Sequence, residues 1–295
     1  CDLKKKGKSD VNLKRFLKSI KSILENLNKN AILIIESTIP PGTCELKIVP
    51  MYREIFKKRK IKYKEILLAY TYERVMPGSN YLNSIKNYWR VMAGINKVSS
   101  KKCRNFLTQI INTKNYPLTE LESIRACELG KILENSFRAT NIAFIEEWAR
   151  FAELMKVDLY KVIEAIRLRP THANLRHPGF GVGGYCLTKD PLFGEYSAKK
   201  LWKFKNLNFS FSKKSISINN KMPFVTLSRI KTIFDNNLKN KKILIMGTSY
   251  KENVGDLRSS PSLEFIHGCI KEDANICWHD PYIKNISIQK ATKLE

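Results

Sequence analysis

The sequence predicts an α/β fold built around a long central helix. Short apolar runs alternate with segments of helical periodicity, which is typical of strands and helices in a parallel sheet. One helical pattern, from about Glu120 to Met155, is much longer than the others. A strand–loop–helix–strand pattern follows near the C-terminus. We therefore expect two α/β regions with a helical region between them, and we expect the second α/β region to be incomplete.

Before the central helix, the pattern predicts three helices that alternate with three buried strands. The expected helices cover 12–27, 43–57 and 99–113, the last with a serine N-cap. The expected strands are AILIIEST (31–38), EILLAYTYE (65–73) and WRVMAGI (89–95). Alternation of this kind predicts that the strands are parallel.

Beyond the central helix, the pattern is helical, then irregular, then α/β again. A helix is expected over 158–167, followed by the glycine-rich segment HPGFGVGGYC (177–186). The polar stretch 201–222 predicts a domain boundary. Strands are expected at KKILIMG (241–247) and ANICWHDP (274–281), with the helix SLEFIHGCIKE between them.

Charge and cysteine content narrow the class of protein. The 295 residues carry a formal net charge of +26, but the lysines are scattered and are not interleaved with aromatic residues. A solvated lysine-rich surface explains this better than a nucleic-acid groove, and a positive field also favours an anionic substrate. The seven cysteines form no CxxC pair, so we expect free thiols, a reducing cytoplasmic compartment and no metal site. No apolar run has the length of a membrane helix.

The segment GFGVGGYCLTKD is the first candidate for chemistry. Its glycines let backbone N–H groups approach a ligand closely, and Cys186 follows them directly. If a helix begins near Cys186, its dipole and the nearby Lys189 raise the thiolate fraction, and Asp190 lies on the same helix face. The alternative is a tight turn with a buried, inert thiol. The combination of glycines, cysteine, lysine and aspartate favours a reactive site.

Two further pairs of polar residues occur where a ligand site is expected. Lys131 and Asn135 share one face of the central helix and suit a general acid–base and an oxyanion contact. Thr38 and Glu73 end two predicted strands, and ligands of open α/β sheets bind at the carboxyl ends of strands. The alternatives are surface polar residues for the first pair and helix caps for the second.

A third pair follows the strand KKILIMG. Lys251 and Arg258 lie in the loop TSYKENVGDLRSSP, and two cations at a strand end suit a phosphate group. The alternative is solvent-exposed charge, which is common in a lysine-rich protein.

The motifs, taken in the order in which they occur along the chain, resemble those of the UDP-glucose/GDP-mannose dehydrogenase family. The matching segments are ESTIPPGT, YTYERVMPG, ELGKILENSFRATNIAFIEE, GFGVGGYCLTKDP, MGTSYKENVGDLRSSP and the WHDP strand end. TYERVMPG is more similar to the branch that acts on N-acetylated UDP-hexosamines. The resemblance implies a partial Rossmann-like domain over 1–118, a central helical dimerisation domain with the cysteine loop over 119–212, and a partial α/β nucleotide-sugar-binding domain over 213–295.

The resemblance also implies a reaction. The family oxidises the C6 hydroxyl of a nucleotide-sugar to the uronate in two NAD-dependent steps, which supplies precursors of surface polysaccharides. Cys186 is then the nucleophile that carries a thiohemiacetal and a thioester. Lys131 and Asn135 stabilise oxyanions at C6. Asp190 orients water or Lys131, and Glu73 is a base in thioester hydrolysis.

The remaining positions are assigned to binding. The resemblance implies that Thr38 helps to position a water and that the central helix forms the core of a homodimer interface. The expected substrate contacts are Arg74, Phe180, Gly181, Gly183 and Lys251. The expected cofactor contacts are Ser37, Thr38, Lys189 and Arg258.

One part of the family's pattern is missing. The family begins with a Rossmann βαβ unit whose GxGxxG turn holds the pyrophosphate of NAD, and no such unit is found here. The chain is thus expected to begin partway through that domain. Two hypotheses follow. The first is an active nucleotide-sugar 6-dehydrogenase, and the second is a truncated, non-catalytic homologue that binds nucleotide-sugar or dimerises without turnover.

Overall fold

Helices dominate the computed structural model, which describes residues 1–4, 6–76 and 78–294. The α-helices are α1 (Lys14–Asn26), α2 (Val49–Lys58), α3 (Tyr81–Lys86), α4 (Lys97–Leu107), α5 (Ile124–Leu154), α6 (Leu159–Arg167), α7 (Phe193–Tyr196), α8 (Ser210–Ile233) and α9 (Pro261–Lys271). Single π-helical segments cover Cys44–Ile48 and Ser197–Leu201, and 3-10 turns cover Pro170–His172 and Asp190–Leu192. The long central helix of the prediction is confirmed as α5.

The strands form one two-stranded ribbon and two sheets. They are β1 (Asp2–Leu3), β2 (Val11–Asn12), β3 (Leu33–Ile35), β4 (Leu68–Tyr72), β5 (Val91–Gly94), β6 (Thr119–Glu120), β7 (Lys242–Met246), β8 (Asn275–His279) and β9 (Ala291–Lys293). The chain divides into two compact units, Cys1–Asn135 with Lys189–Phe209, and Ser136–Thr188 with Ser210–Glu295. The division into three domains expected from the resemblance stays a prediction.

The first unit contains the sheet β3-β4-β5-β6. β3 and β4 are parallel, so both carboxyl ends lie at one edge, as the prediction for Thr38 and Glu73 requires. β5 runs antiparallel to β4, and the prediction of an all-parallel sheet was wrong at this strand. The physical reason is the connection, because only the six-residue helix α3 lies between β4 and β5, and a parallel return usually needs a full crossover helix. The start of β5 therefore reaches the same edge, where Arg90 pairs with Glu36.

The core of the first unit lies between this sheet and the helices that flank it. Its largest fully buried side chains include Tyr52, Phe56, Leu68 and Tyr70. The helix α4 begins two residues earlier than expected, because the side chain of Asn96, and not a serine, accepts the Ser99 N–H at 2.8 Å.

The second unit contains the parallel sheet β7-β8-β9, packed against α9 and α8. Its core includes Phe265, Ile266, Ile276 and Trp278. The expectation of an irregular segment over 201–222 was wrong from Ser210 onward, because α8 begins there and continues to Ile233. The two units divide within this stretch, between Phe209 and Ser210. Several polar residues of α8 lie on its buried face, where Asn219 donates to the Ala139 carbonyl at 3.0 Å. Helices are predicted from the spacing of apolar residues, so a helix with polar residues on its buried face is not recognised in this way.

An aspartate closes the loop that follows β7. The buried Asp280 carboxylate accepts the backbone N–H groups of Thr248 at 2.8 Å, Ser249 at 2.9 Å and Tyr282 at 2.9 Å. Burial raises the pKa of Asp280, but these hydrogen bonds and that of the Ser249 hydroxyl outweigh it and lower the pKa to about 2. Asp280 therefore holds the Lys251 loop to the end of β8 as a carboxylate.

We expect Asp280→Asn to destabilise the second unit by about 2 kcal/mol at pH 7. The folded pKa lies below the ordinary aspartate value of 3.8, so this stabilisation is present above about pH 4. It is lost as the pH falls from about 4 to about 2. Urea unfolding of both proteins across that range measures it, with the exposed Asp273→Asn as the control. A constant gap between wild type and D280N down to pH 2 contradicts the assignment.

One face of α5 carries a stripe of exposed large apolar side chains. Among the large apolar residues of α5, Ile124 is buried, whereas six others, between Leu129 and Phe151, are at least half exposed. At about 100° per residue these others fall within about one third of the helix circumference. We call them the α5 stripe: Leu129, Leu133, Phe137, Phe144, Trp148 and Phe151. Exposed apolar surface of this extent is typical of an interaction face.

Two kinds of feature are absent from the described part of the chain. None of its helices is both long enough and apolar enough to cross a membrane. Within the same residues, no three His, Cys, Asp or Glu side chains are arranged to hold a metal ion.

Candidate active site

Lys131 is a buried lysine that α5 directs at the end of β4. Its Nζ donates to the Glu73 carbonyl oxygen at 2.8 Å, lies 3.8 Å from Glu73 Oε1 and sits 5.5 Å from the centre of the Tyr72 ring. The neighbouring Gly130 makes room for that ring, because a Cβ there would lie 3.2 Å from the Tyr72 hydroxyl. The structure thus brings together two residues that the sequence predicted separately, and both belong to the first unit.

Asn135 and Asp190 also meet in the first unit. The Asn135 amide donates to Asp190 Oδ2 at 2.8 Å, and Lys189 Nζ donates to Oδ1 at 2.6 Å. All three side chains are buried, and Asp190 is completely so. Burial raises the pKa of the Asp190 carboxyl, whereas Lys189 and Asn135 act in the opposite direction. Lys189 therefore has Asp190 as a buried partner, and its predicted contact with the cofactor stays a prediction.

Two other predicted residues lie at the carboxyl ends of β3 and β4. Ser37 is exposed and Thr38 is half-buried, directly before the turn that leads into the first π-helical segment. Arg74 Nη2 lies 2.9 Å from Glu134 Oε2, and Nη1 donates to the Trp89 carbonyl at 3.1 Å. A substrate anion has to compete with Glu134 for this arginine. Pro77, in the motif YERVMPG, lies outside the described residues.

Cys186 belongs to the second unit and is an exposed thiol without a disulfide. No helix begins there. Residues 187–189 form a turn and the first helical turn starts at Asp190, so the expected helix dipole and shared helix face were wrong. Local geometry explains this, because the Thr188 hydroxyl donates to the Gly184 carbonyl at 2.9 Å and the backbone of Lys189 is not helical.

The glycines before Cys186 pack on protein. A Cβ at Gly181 would lie 2.4 Å from Pro261, and one at Gly183 would lie 2.3 Å from the Cβ of Tyr250. Gly184 has a φ of 79° and lies against the ring of Tyr250. The glycines therefore seat the cysteine loop on Tyr250 and on the start of α9. The predicted contact of their open backbone with a ligand stays a prediction.

The remaining predicted contacts lie in the same unit. Arg258 donates to both oxygens of Asp256, at 3.0 Å and 2.6 Å, and its guanidinium lies 5.7 Å from the centre of the Tyr185 ring. Phe180 packs edge-to-face on Phe265 at 5.4 Å, so it supports the core beneath the glycine loop. Lys251 is half-buried in the loop after β7.

Three residues that shape the loops around the candidate site were not predicted from the sequence. Tyr250 seats the cysteine loop, Asp280 closes the loop after β7, and the fully buried Glu128 accepts backbone N–H groups of the turn after β3. Glu128 lies three residues before Lys131 on α5, so a search for acids on the Lys131 face of that helix could have found it. No local pattern marks Tyr250.

Matches to known families cover most of the chain. Models of the UDP-glucose/GDP-mannose dehydrogenase family match as its NAD binding domain over residues 3–112, its central domain over 125–221 and its UDP binding domain over 244–295. The chain belongs to this family. The resemblance inferred from its motifs is therefore confirmed.

Individual relatives carry the names of two activities within the family. The chain is 32% identical, over 97% of its length, to the UDP-N-acetyl-D-mannosamine dehydrogenase of Methanocaldococcus jannaschii, and covers 60% of that protein. It is 27% identical, over 98% of its length, to the UDP-glucose 6-dehydrogenase of Rickettsia conorii, and covers 62% of it. A solved UDP-D-ManNAc dehydrogenase of Pyrococcus horikoshii superposes with a TM-score of 0.81 at 25% identity, covering 97% of this chain and 68% of that one. The chain thus spans about 60% of the length of these curated relatives.

The described residues fit one end of NAD better than the other. Ser37 and Thr38 offer polar groups at the carboxyl end of β3, where the nicotinamide is expected. The strand-to-helix turn that follows does not fit a pyrophosphate. Its Gly42 and Cys44 N–H groups donate to the carboxylate of Glu128, so they are not available to a phosphate.

Proposed function

We propose that the chain carries the thiol half of a nucleotide-sugar 6-dehydrogenase whose substrate is a UDP-N-acetylhexosamine, with UDP-N-acetyl-D-mannosamine as the first choice. The observation that carries the proposal is the arrangement on α5, where buried Lys131 and Asn135 are held by Glu73 and Asp190. The names of two relatives, UDP-N-acetyl-D-mannosamine dehydrogenase and UDP-D-ManNAc dehydrogenase, support this choice of sugar.

The proposed reaction is a four-electron oxidation in two halves. The C6 alcohol loses a hydride and a proton to become an aldehyde, and the Cys186 thiolate adds to the aldehyde carbon. The protonated adduct is a thiohemiacetal, and loss of a second hydride together with the hydroxyl proton gives a thioester. Water then attacks the thioester, releasing the carboxylate and the thiol. NAD+, when bound, supplies the hydride acceptor in each half, so that two NAD+ are reduced for each sugar oxidised.

The chain's own residues hold charge and protons during these steps. The Lys131 ammonium and the Asn135 amide stabilise the oxygen at C6 when it is negatively charged. Asp190 keeps Asn135 oriented through its 2.8 Å hydrogen bond. Glu73, beside Lys131, takes the proton of the attacking water. Lys251 binds the diphosphate, and the formal net charge of +26 attracts such an anionic substrate.

Turnover with defined sugars tests the proposal. The protein is incubated with NAD+ and, in separate reactions, UDP-N-acetylmannosamine, UDP-glucose and GDP-mannose. We expect about two NADH per sugar consumed, with UDP-N-acetylmannosamine giving the highest kcat/KM. Preference for UDP-glucose overturns the choice of sugar, and absence of NADH with all three overturns the activity.

A second candidate function is binding of nucleotide-sugar without turnover. The observation that favours it is the turn after β3, where Glu128 accepts the Gly42 and Cys44 N–H groups, so that this turn offers no backbone donors to a phosphate. Titration calorimetry separates the two candidates. Tight binding of both NAD+ and the UDP-sugar supports the dehydrogenase, whereas binding of the UDP-sugar alone supports the non-catalytic homologue.

We also propose that the protein is a homodimer that pairs through the α5 stripe. Apolar side chains that are half exposed on one helix are stabilised when a second copy covers them. We expect the wild type to sediment as two chains, and Phe144→Ser with Trp148→Ser to sediment as one. Phe211→Ser, which removes an exposed phenylalanine of α8, is the control. Unchanged sedimentation of the double variant contradicts pairing through this stripe.

We place the protein in the cytoplasm. All seven cysteines are free thiols, which suits a reducing compartment. A nucleotide-sugar dehydrogenase in this compartment supplies uronates for surface polysaccharide precursors.

A further inference from the structure

Glu128 is a fully buried carboxylate in the first unit. The titratable groups that face it are Cys44 and Glu45 at the start of the first π-helical segment, Tyr70 of β4 and Cys127 of α5. None of these groups is a cation. Burying a carboxylate without a neighbouring cation costs free energy of folding unless hydrogen bonds compensate it. We therefore asked which hydrogen bonds Glu128 makes.

The hydrogen bonds of Glu128 all go to one turn. Oε2 accepts the Gly42 N–H at 2.5 Å, and Oε1 accepts the Cys44 N–H at 2.9 Å. The opposite side of the turn is also held, because the Pro41 carbonyl accepts the Ser197 hydroxyl at 2.5 Å and the Trp202 indole N–H at 3.1 Å. The turn that follows Thr38 is therefore fixed from two directions.

Gly42 is essential to this arrangement. Its φ is 92°, and a Cβ there would lie 2.5 Å from the Trp202 indole nitrogen. The turn can adopt this conformation only with glycine at that position, and Trp202 packs directly against it.

The same face of α5 holds two other parts of the candidate site. Glu128, Lys131 and Asn135 are three and seven residues apart, which places them on one side of the helix. Their partners are the turn after β3, the Glu73 carbonyl at the end of β4, and Asp190. One helix face therefore sets the spacing between the three segments.

We propose that Glu128 is a positioning residue that fixes the turn Pro40–Cys44, and with it Thr38, at a set distance from Lys131. The role of Thr38 and Lys131 in chemistry rests on the proposed function, whereas the fixing of the turn does not. The competing explanation is a carboxylate that only stabilises the start of a helix.

Hydrogen exchange tests the fixing of the turn without any assay of activity. Burial raises the pKa of Glu128 to about 7, so the comparison is made at pH 8.5, where the side chain is ionised. In Glu128→Gln the amide nitrogen faces one of the two N–H donors. We expect exchange at Gly42 or Cys44 to accelerate about tenfold or more. The exposed Glu122→Gln is the matched control, and unchanged exchange in E128Q overturns the fixing of the turn.

Kinetics of the same variants test the consequence for Thr38. If wild type turns over, we expect E128Q to lose about tenfold or more in kcat while KM for the UDP-sugar stays within about threefold. E122Q is expected to match wild type. A lower unfolding midpoint with unchanged kcat overturns the positioning role in favour of a stabilising one. Absence of turnover in the wild type overturns the proposed function and leaves the exchange result to decide the turn.

Discussion

Replacing Cys186 with serine is expected to abolish uronate formation, lowering it by roughly 10³-fold or more. The proposed chemistry needs a thiolate that adds to an aldehyde and later acts as the leaving group when the thioester is hydrolysed. A serine hydroxyl is a poorer nucleophile near neutral pH, and the ester it could form is hydrolysed more slowly. The thiol is exposed in the second unit, so a small isosteric change there leaves the fold intact. The measurement is NADH absorbance together with mass spectrometry of the sugar product.

Cys277→Ser supplies the matched control for this experiment. Cys277 is a free, partly exposed cysteine of β8 in the same unit, and no step of the proposed reaction uses it. We expect this variant to turn over as wild type does. Uronate produced by Cys186→Ser at the wild-type rate refutes the thioester route and with it the assignment of the glycine-rich loop.

The second large effect is expected from Asp190→Ala, which we expect to destabilise the first unit by about 3–5 kcal/mol. The Asp190 carboxylate is completely buried and accepts from Lys189 at 2.6 Å and Asn135 at 2.8 Å. Its removal leaves the buried Lys189 ammonium without this anion and the Asn135 amide without this acceptor. Urea unfolding at pH 7 measures the loss, and the exposed Glu54→Ala is expected to change stability little.

A double replacement separates the charge from the hydrogen bond. Lys189→Met with Asp190→Asn removes both charges and keeps an oxygen that accepts from Asn135. We expect this pair of changes to recover most of the stability lost in Asp190→Ala. If the double variant is as unstable as the single one, the buried ion pair is not the cause of the loss.

Local patterns predicted the individual elements well because they depend on residues close in sequence. The helices α1 and α5 follow from apolar spacing, and β3, β4, β7 and β8 follow from short apolar runs. The pair Lys131 and Asn135 was found for the same reason, since four residues on a helix always share a face.

Features that depend on distant partners were not predictable in this way. The direction of β5 is set by its pairing with β4, and the buried polar face of α8 is set by contacts such as Asn219 to Ala139. The conformation at Cys186 follows from the turn that the Thr188 hydroxyl closes and from packing on Tyr250, which lies over sixty residues later. A motif identified the residues of the loop, and only the tertiary contacts determined its shape.

The seating of the glycine-rich loop has a consequence for affinity. A flexible loop loses about 1–2 kcal/mol of backbone entropy per residue when a ligand orders it. Here Gly181 and Gly183 are already packed on Pro261 and Tyr250, so folding of the second unit has ordered this stretch in advance. We therefore expect contacts of the proposed nucleotide-sugar substrate with the loop to contribute almost fully to the free energy of binding, because little free energy is needed to order the loop. Gly181→Ala forces the loop away from Pro261. We expect it to weaken substrate binding, because the loop is then no longer ordered in advance.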